Sequence, residues 1–253
     1  HQGYLFVTKA YHTKVKNAKR YIFRSLPDNF FAFDWTNDFV IMPEVPIAMV
    51  SFNSRLFVWG KKKLYKVEPN SMLIEDEYDG VSILNKNAYV KTEYGLAFMD
   101  ANNIYLHDGN QPKPIGDAIL HSSNDSIVYA SVASGNSGYH KIQQGYRELA
   151  AQSIANGHNP TIYYSGLQSS FLITLSDEST NGKILSYNFK RNRWDFWDSP
   201  KPVAVASSKD AIVLIADGTN LWSYQTDLTH EYGNYHKRDW DWFSKDINFG
   251  LDT

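Results

Sequence analysis

Asp195 and Asp198 flank Trp197 in the run RWDFWD (193–198). Carboxylates paired beside aromatic rings are the equipment of glycoside hydrolysis, and the rings also stack on sugars. Yet Trp194, Phe196 and Trp197 crowd into the same few residues, which reads more simply as the core of a β-strand. Other candidate motifs each lack a needed position. SGNSG (134–138) has Tyr139 where the last glycine of a nucleophile elbow stands. His230 and His236 are six residues apart, not the four that place two imidazoles on one helical face. DESTNG (177–182) imitates the front of a calcium loop through Asp177, Ser179, Asn181 and Gly182. Its twelfth position is Asn188 rather than a bidentate glutamate, so it reads as a hairpin turn. NDS (124–126) is a glycosylation acceptor only in a secretory context. Residue by residue, the sequence assigns no catalytic, cofactor or metal position. The expectation is a protein that is not an enzyme and carries no cofactor.

One charged cluster remains. His1 to Pro27 contains no acidic residue, and Lys14, Lys16, Lys19 and Arg20 concentrate in KVKNAKR. Four unpaired cations are too costly to bury, so they are expected at the surface. There they form a solvated loop, pair with an acidic neighbour, or neutralise phosphates.

Such residues need elements to hold them, and the elements are strands. RLFVWGKKKLYKVEP (55–69), YGLAFMDANNIYLHDG (94–109) and AIVLIADGTNLWSYQ (211–225) repeat one phrase: a β-prone run, a polar break, then an aliphatic–aromatic pair. The pairs start at Leu64, Ile104 and Leu221, and Ile184 supplies another copy; the spacings are 40, 80 and 37 residues. A period near 40 with about four short strands per period is that of β-propeller blades. Asp79-Gly80, Asp108-Gly109, Asn181-Gly182 and Asp217-Gly218 supply turn residues that tolerate positive φ. The expected fold is all-β, propeller-like, with four-stranded blades and one inserted α-helix, over residues 1–253 as a single domain. A β-sandwich is the alternative.

The helix is expected across 138–156. Ile142, Tyr146, Leu149, Ala150 and Ser153 fall on one helical face, Ser137 is a plausible N-cap and Gly157 a plausible C′ residue. Gly145 would weaken its interior. The face carrying Ile142, Tyr146 and Leu149 either packs on its own blade or docks on a neighbouring subunit. Near the end, Trp240 and Trp242 alternate with charged residues as in a half-buried strand, and the pattern stops at Thr253, which suggests a piece of a longer chain.

Composition sets outer bounds. Apolar residues make up 43% and aromatics 15% of 253, ample for a large core. A net charge of −2 provides no global field toward nucleic acid or anionic membrane. Cysteine is absent, which excludes disulfides and thiolate zinc sites. The longest apolar stretches fall far short of the ~18 residues of a membrane span.

The phrases, in order, resemble propeller-containing virion proteins of tailed bacteriophages: the tail-nozzle, tail-tube and head-to-tail completion group. RYIFRSLPDNF (20–30) is similar to their R-[IY]-[YF]-x-S phrase with its following P-[ED]-x-F. SRLFVWGKKKLYKVEP (54–69), YGLAFMDANNIYLHDG (94–109), YNFKRNRWDFWD (187–198) and WDWFSKDINFG (240–250) resemble the later phrases in turn. The helix has no counterpart in that pattern. The resemblance implies a structural virion protein of the tail, with copies of the chain in a ring, often a hexamer, around the genome-exit channel. It implies neighbouring tail or connector proteins as partners, and transient passage of DNA without sequence-specific binding. Lys14, Lys16, Lys19 and Arg20 would then meet a neighbour or guide phosphates. The alternative is a carbohydrate-recognising propeller of a receptor-binding fibre.

Overall fold

β-Branched and aromatic runs separated by turn residues fold here as successive antiparallel meanders. A computed structural model of the chain describes residues 3–10, 18–120, 128–131, 138–141, 145–176, 181–200, 204–207, 213–216 and 221–224. In the first sheet, β2 (Tyr21–Leu26) is central, with β1 (Phe6–Thr8) on one edge and β3 (Asn29–Phe33) then β4 (Phe39–Ile41) on the other. The second sheet runs β5 (Ala48–Phe52), β6 (Arg55–Trp59), β7 (Lys63–Glu68), β8 (Leu73–Asp79). The third runs β9 (Tyr89–Thr92), β10 (Gly95–Met99), β11 (Ile104–His107), β12 (Pro112–Pro114). A hairpin of β13 (Val128–Ser131) and β14 (Gly138–Lys141) and the helix α1 (Tyr146–Ala155) follow. The fourth sheet is β15 (Thr161–Ser165), β16 (Ser170–Leu175), β17 (Asn181–Asn188), β18 (Arg193–Pro200). The fifth shows three described strands: β19 (Ala204–Ser207), β20 (Val213–Ala216), β21 (Leu221–Tyr224).

The sheets stack face on face, and strand alternation divides each strand between two neighbours. On β6, Leu56 and Val58 join Ile22, Val40 and Met42 of the first sheet, while Phe57 and Trp59 turn to the third. On β16, Phe171, Ile173 and Leu175 face the third sheet, and Leu172 faces Ile215 of the fifth. First strands lie side by side: β9 runs along β15, and β15 along β19. The Tyr89 hydroxyl of β9 donates to the Met49 carbonyl of β5 at 3.5 Å. The result is all-β and propeller-like, with four-stranded blades. The repeat positions Leu64, Ile104, Ile184 and Leu221 all fall on third strands, opposite Trp59, Met99, Thr174 and Ala216.

The helix is inserted, as expected: β9 and β15 are direct neighbours, so the hairpin and α1 lie between adjacent sheets, and the described residues within the 80-residue spacing form no further four-stranded sheet. Three expectations require correction. The helix does not reach back to 138, because Gly138–Lys141 pairs with Val128–Ser131. Gly145 is therefore the N-cap, not an interior residue; its amide donates to the Glu148 carboxylate at 3.0 Å. Asn181 and Gly182 belong to β17, paired with Pro200 and Ser199, rather than to a turn. Ser137, Asp217, Gly218 and the 240–250 phrase lie outside the described residues. The C-terminal end of α1 is as expected: Gly157 adopts φ +72°, and the His158 amide returns to the Ser153 carbonyl at 2.8 Å.

Candidate interaction surfaces on the first sheet

The basic segment is described only in part: Lys14 and Lys16 lie outside the described residues. Lys19 is exposed and Arg20 half-buried in the 3₁₀ turn Ala18–Arg20 that leads into β2. Arg20 is tied down by its own geometry. Its Nε donates to the Met42 carbonyl at 2.7 Å, and the Met42 amide donates back to the Arg20 carbonyl at 2.9 Å. Only Pro43 separates Met42 from Glu44, whose Oε2 accepts the amides of Lys61 at 2.7 Å and Lys62 at 3.0 Å. Gly60 permits this approach, because a Cβ there would sit 2.9 Å from Glu44. Oε1 accepts the Tyr65 hydroxyl at 3.2 Å. Burial, and then the Glu44 charge, push that phenol up to about 12.

Tertiary structure thus adds Lys61 and Lys62, both exposed, to the basic end that begins with Lys19 and Arg20. Lys9 joins them: it is exposed, at φ +56°, directly after Thr8, whose hydroxyl donates to the Tyr21 carbonyl. Lys63 is spent locally on Glu77 and Asp79, at 2.8 Å each. Between these cations Ile41 and Val45 stand 48% and 43% exposed.

The other end of the same sheet has the opposite character. Leu26 through Phe31 are all exposed. Pairing jumps from Leu26↔Asn29 to Ser25↔Phe33, so Phe30, Phe31 and Ala32 form a bulge with no opposing residues. A bulge re-aims side chains, and Phe31 is left 97% exposed. The hairpin is clamped from below: the Asp28 amide donates to the Gly3 carbonyl at 2.8 Å, with Gly3 at φ +78° and no room for a Cβ beside the Asp28 carboxylate. Leu5 adds a further exposed apolar group.

Charge at this end is acidic. Asp28 is exposed, and Asp34 is held down to about 2 by donors from Thr36 and Asn37. The Glu68 carboxyl is lowered by the Ser71 amide. The nearby cation Arg24 is consumed: it pairs with Asp38, lies 4.9 Å from the Tyr4 ring centroid, and donates to the carbonyls of Pro69 and Asn70.

Of the two arrangements expected for the helix face, the described part packs on its own chain. Tyr146 and Leu149 are buried in this chain's own core. The Tyr146 hydroxyl donates to the Asp100 carbonyl of the β10–β11 loop at 2.5 Å, and the Ser153 hydroxyl bridges to Ser176 at the end of β16. Helix α1 pins the third sheet to the fourth. Ile142 lies outside the described residues. Asp195 and Asp198 fall on β18, in register with Ser186 and Lys183. Among the described residues no cluster of three or more His, Asp or Glu is arranged to hold a metal ion, and no helix is long and apolar enough to cross a membrane.

His107 is a buried group that the sequence did not single out. It ends β11, fully buried between the rings of Phe57 (4.6 Å) and Tyr78 (5.4 Å), and its Nδ1 accepts the Gly109 amide at 2.9 Å. Nε2 is buried without a hydrogen-bond partner among the described residues. Burial lowers the ring's pKa to about 4, so the imidazole is neutral.

No family model matches the chain and no curated protein matches it in sequence. Among solved structures it is similar to the extracellular domain of the two-component-system protein BT4673 from B. thetaiotaomicron. The TM-score is 0.51 at 11% identity, over 94% of this chain and 26% of that one. A second structure of a BT4673 extracellular domain aligns with TM-score 0.46 at 11% identity, over 88% of this chain and 28% of that one. The WD40 domain of SCAP from fission yeast aligns with TM-score 0.38 at 9% identity, over 78% of this chain and 53% of that one. The chain spans roughly a quarter of the BT4673 domains and about half of the WD40 domain. The first likeness speaks to fold.

Proposed function

We propose that this chain is a structural virion protein of a tailed phage, building part of the tail as a ring of copies around the genome-exit channel. The observation that carries the reading is the first sheet: a rigid propeller-like stack displays two exposed, apolar, oppositely charged ends. Surfaces of that kind suit an assembly component. The ordered phrases add support, because each described one marks a definite element. RYIFRSLPDNF spans β2 and its hairpin, SRLFVWGKKKLYKVEP spans β6 and β7, and YGLAFMDANNIYLHDG spans β10 and β11. The test is to locate a tagged copy in particles of the phage that encodes it. Gold label at the tail, and tail-less or leaky particles on deletion of the gene, are the expected results. Label elsewhere, or normal tails after deletion, would refute the reading.

A second reading, carbohydrate recognition, draws on Trp35 and Tyr94, which stand 39% and 37% exposed. Tyr94 is already stacked on Phe189 at 4.3 Å, which leaves it one free face. Selective retention of one glycan class on an array, lost on Trp35→Ala, would favour that reading over the tail.

A further inference from the structure

We propose that the two ends of the first sheet bind each other between copies of this chain, head to tail. The Leu26–Phe31 hairpin of one copy seats Phe30 and Phe31 against Ile41 and Val45 of the next, inside the collar of Lys9, Lys19, Arg20, Lys61 and Lys62. The inference deepens the ring reading above and rests on it.

Complementarity is the first argument. Each end is an apolar centre with a charged surround, which is the anatomy of an interface core and rim. The centre at one end is Phe30 and Phe31, 48% and 97% exposed; at the other it is Ile41 and Val45. The surround is acidic at the first, with Asp28, Asp34 and Glu68, and basic at the second. Glu77 and Asp79 hold Lys63, and among the described residues Lys9, Lys19, Arg20, Lys61 and Lys62 form no ion pair, so these five cations remain to meet a partner's acid. Oppositely charged rims steer encounter and suppress the like-with-like pairing of two hairpins or two collars.

The two patches sit at opposite ends of the six-residue strand β2, about 17 Å apart at 3.3 Å per residue. Complementary patches on one copy either pair reciprocally across a two-fold axis, which stops at a dimer, or pair once with each neighbour in a heterologous contact, which closes as a ring or continues as a filament. The ring reading requires the second arrangement, so a parent that stops at a dimer would overturn it. Both patches are held in place before binding. Arg20, Met42 and Glu44 lock one, and Gly3 and the bulge lock the other, so little ordering is left to do on association.

The test uses two variants of the full chain. Phe30→Ser/Phe31→Ser removes the hairpin's apolar centre but keeps the collar. Lys61→Glu/Lys62→Glu spoils the collar but keeps the hairpin. Measured by light scattering after size exclusion, the parent should form a closed oligomer that weakens as salt rises. Each variant alone should be monomeric, with self-affinity lowered at least about 30-fold. Mixed together, they should give a one-to-one dimer and nothing larger, because each supplies the end the other lacks. Retained circular dichroism keeps misfolding out of the result, and Lys61→Gln/Lys62→Gln stands in if the double Glu variant fails to fold. A parent that is monomeric at its highest soluble concentration would overturn the proposal. So would a mixture that stays monomeric, or a Phe30→Ser/Phe31→Ser protein that assembles like the parent. Location on the virion is read from separate particles, so failure of this contact leaves the tail reading to its own test.

Discussion

Lowering the pH from 7 to 4.5 is the perturbation that isolates His107. The imidazole is sealed between Phe57 and Tyr78, and its pKa falls from 6.5 in the open chain to about 4 in the fold. A depressed histidine pKa costs nothing above pH 6.5, where both states are neutral. Below 6.5 the unfolded chain takes up a proton that the folded chain refuses, so stability is lost progressively until pH falls through about 4. At pH 4.5 the linkage amounts to about 2.5 kcal/mol, since each pH unit below 6.5 costs about 1.4 kcal/mol and most of the interval has been crossed. The lowered carboxyls of Asp34, Asp108 and Glu68 work in a different window. Their contribution starts to fall as pH drops through the unfolded values of 3.8 to 4.5 and is lost through the folded ones, about 2 for Asp34 and Asp108, and it is common to the two proteins compared. The assay is urea unfolding of the parent and His107→Gln at both pH values. Gln keeps an acceptor for the Gly109 amide, and the other histidines are common to both proteins. The parent should lose about 2.5 kcal/mol more than the variant between pH 7 and 4.5. Parallel losses in the two proteins would refute the buried neutral ring. If the variant does not fold, the ring C–H shift of His107 in the parent reports the same titration, and a midpoint near 6.5 would be equally fatal.

Three further outcomes follow from packing. Tyr146→Phe leaves the Asp100 carbonyl without its 2.5 Å donor in a buried site, so denaturant unfolding should show a loss of about 1–3 kcal/mol. Gly95→Ala should cost more than about 1 kcal/mol in the same assay, because φ is +147° and the new Cβ would meet the His107 carbonyl oxygen at 2.7 Å. In the monomeric Lys61→Glu/Lys62→Glu background, Phe31→Ser should change stability by less than about 0.5 kcal/mol, since the ring is 97% exposed within one copy; a larger loss there would mean the bulge is packed.

The blades were legible because their middle strands are buried on both faces. LFVW, GLAFM and SFLITL then read as continuous apolar runs, and the polar breaks between them set the period. The helix was legible only from Tyr146 onward, where Leu149, Ala150 and Ser153 keep their spacing. Its start was decided by a long-range event, the pairing of Tyr139 with Ala130, which helical periodicity cannot register. The 80-residue spacing matched two blade periods although it contains an insertion, because period alone does not say which sheets are neighbours. The interaction surfaces were least legible. Lys61 and Lys62 lie some forty residues beyond Arg20 and reach it only through Glu44. NFFAF reads as a core strand, and nothing in its composition announces that Phe31 points into solvent.

Why copies should meet through the ends of one sheet, and not through strand edges, follows from how the edges are dressed. Outer strands expose unpaired backbone groups and invite further strands. On the second sheet, β8 answers with charge: Glu75 meets Arg55 at 2.7 Å, Asp76 meets Lys66 at 3.5 Å, and Glu77 and Asp79 meet Lys63 at 2.8 Å. Exposed pairs of this kind add little to stability, so their value lies in keeping another strand from docking. On the third sheet, β12 begins and ends with proline, which removes donors from the edge. The first sheet follows another rule at its tips. It places a nearly bare phenylalanine on a bulge, at the far end of the strand from a collar of lysines. Unguarded apolar surface beside guarded edges directs association to the tips, and tips of opposite charge set its direction.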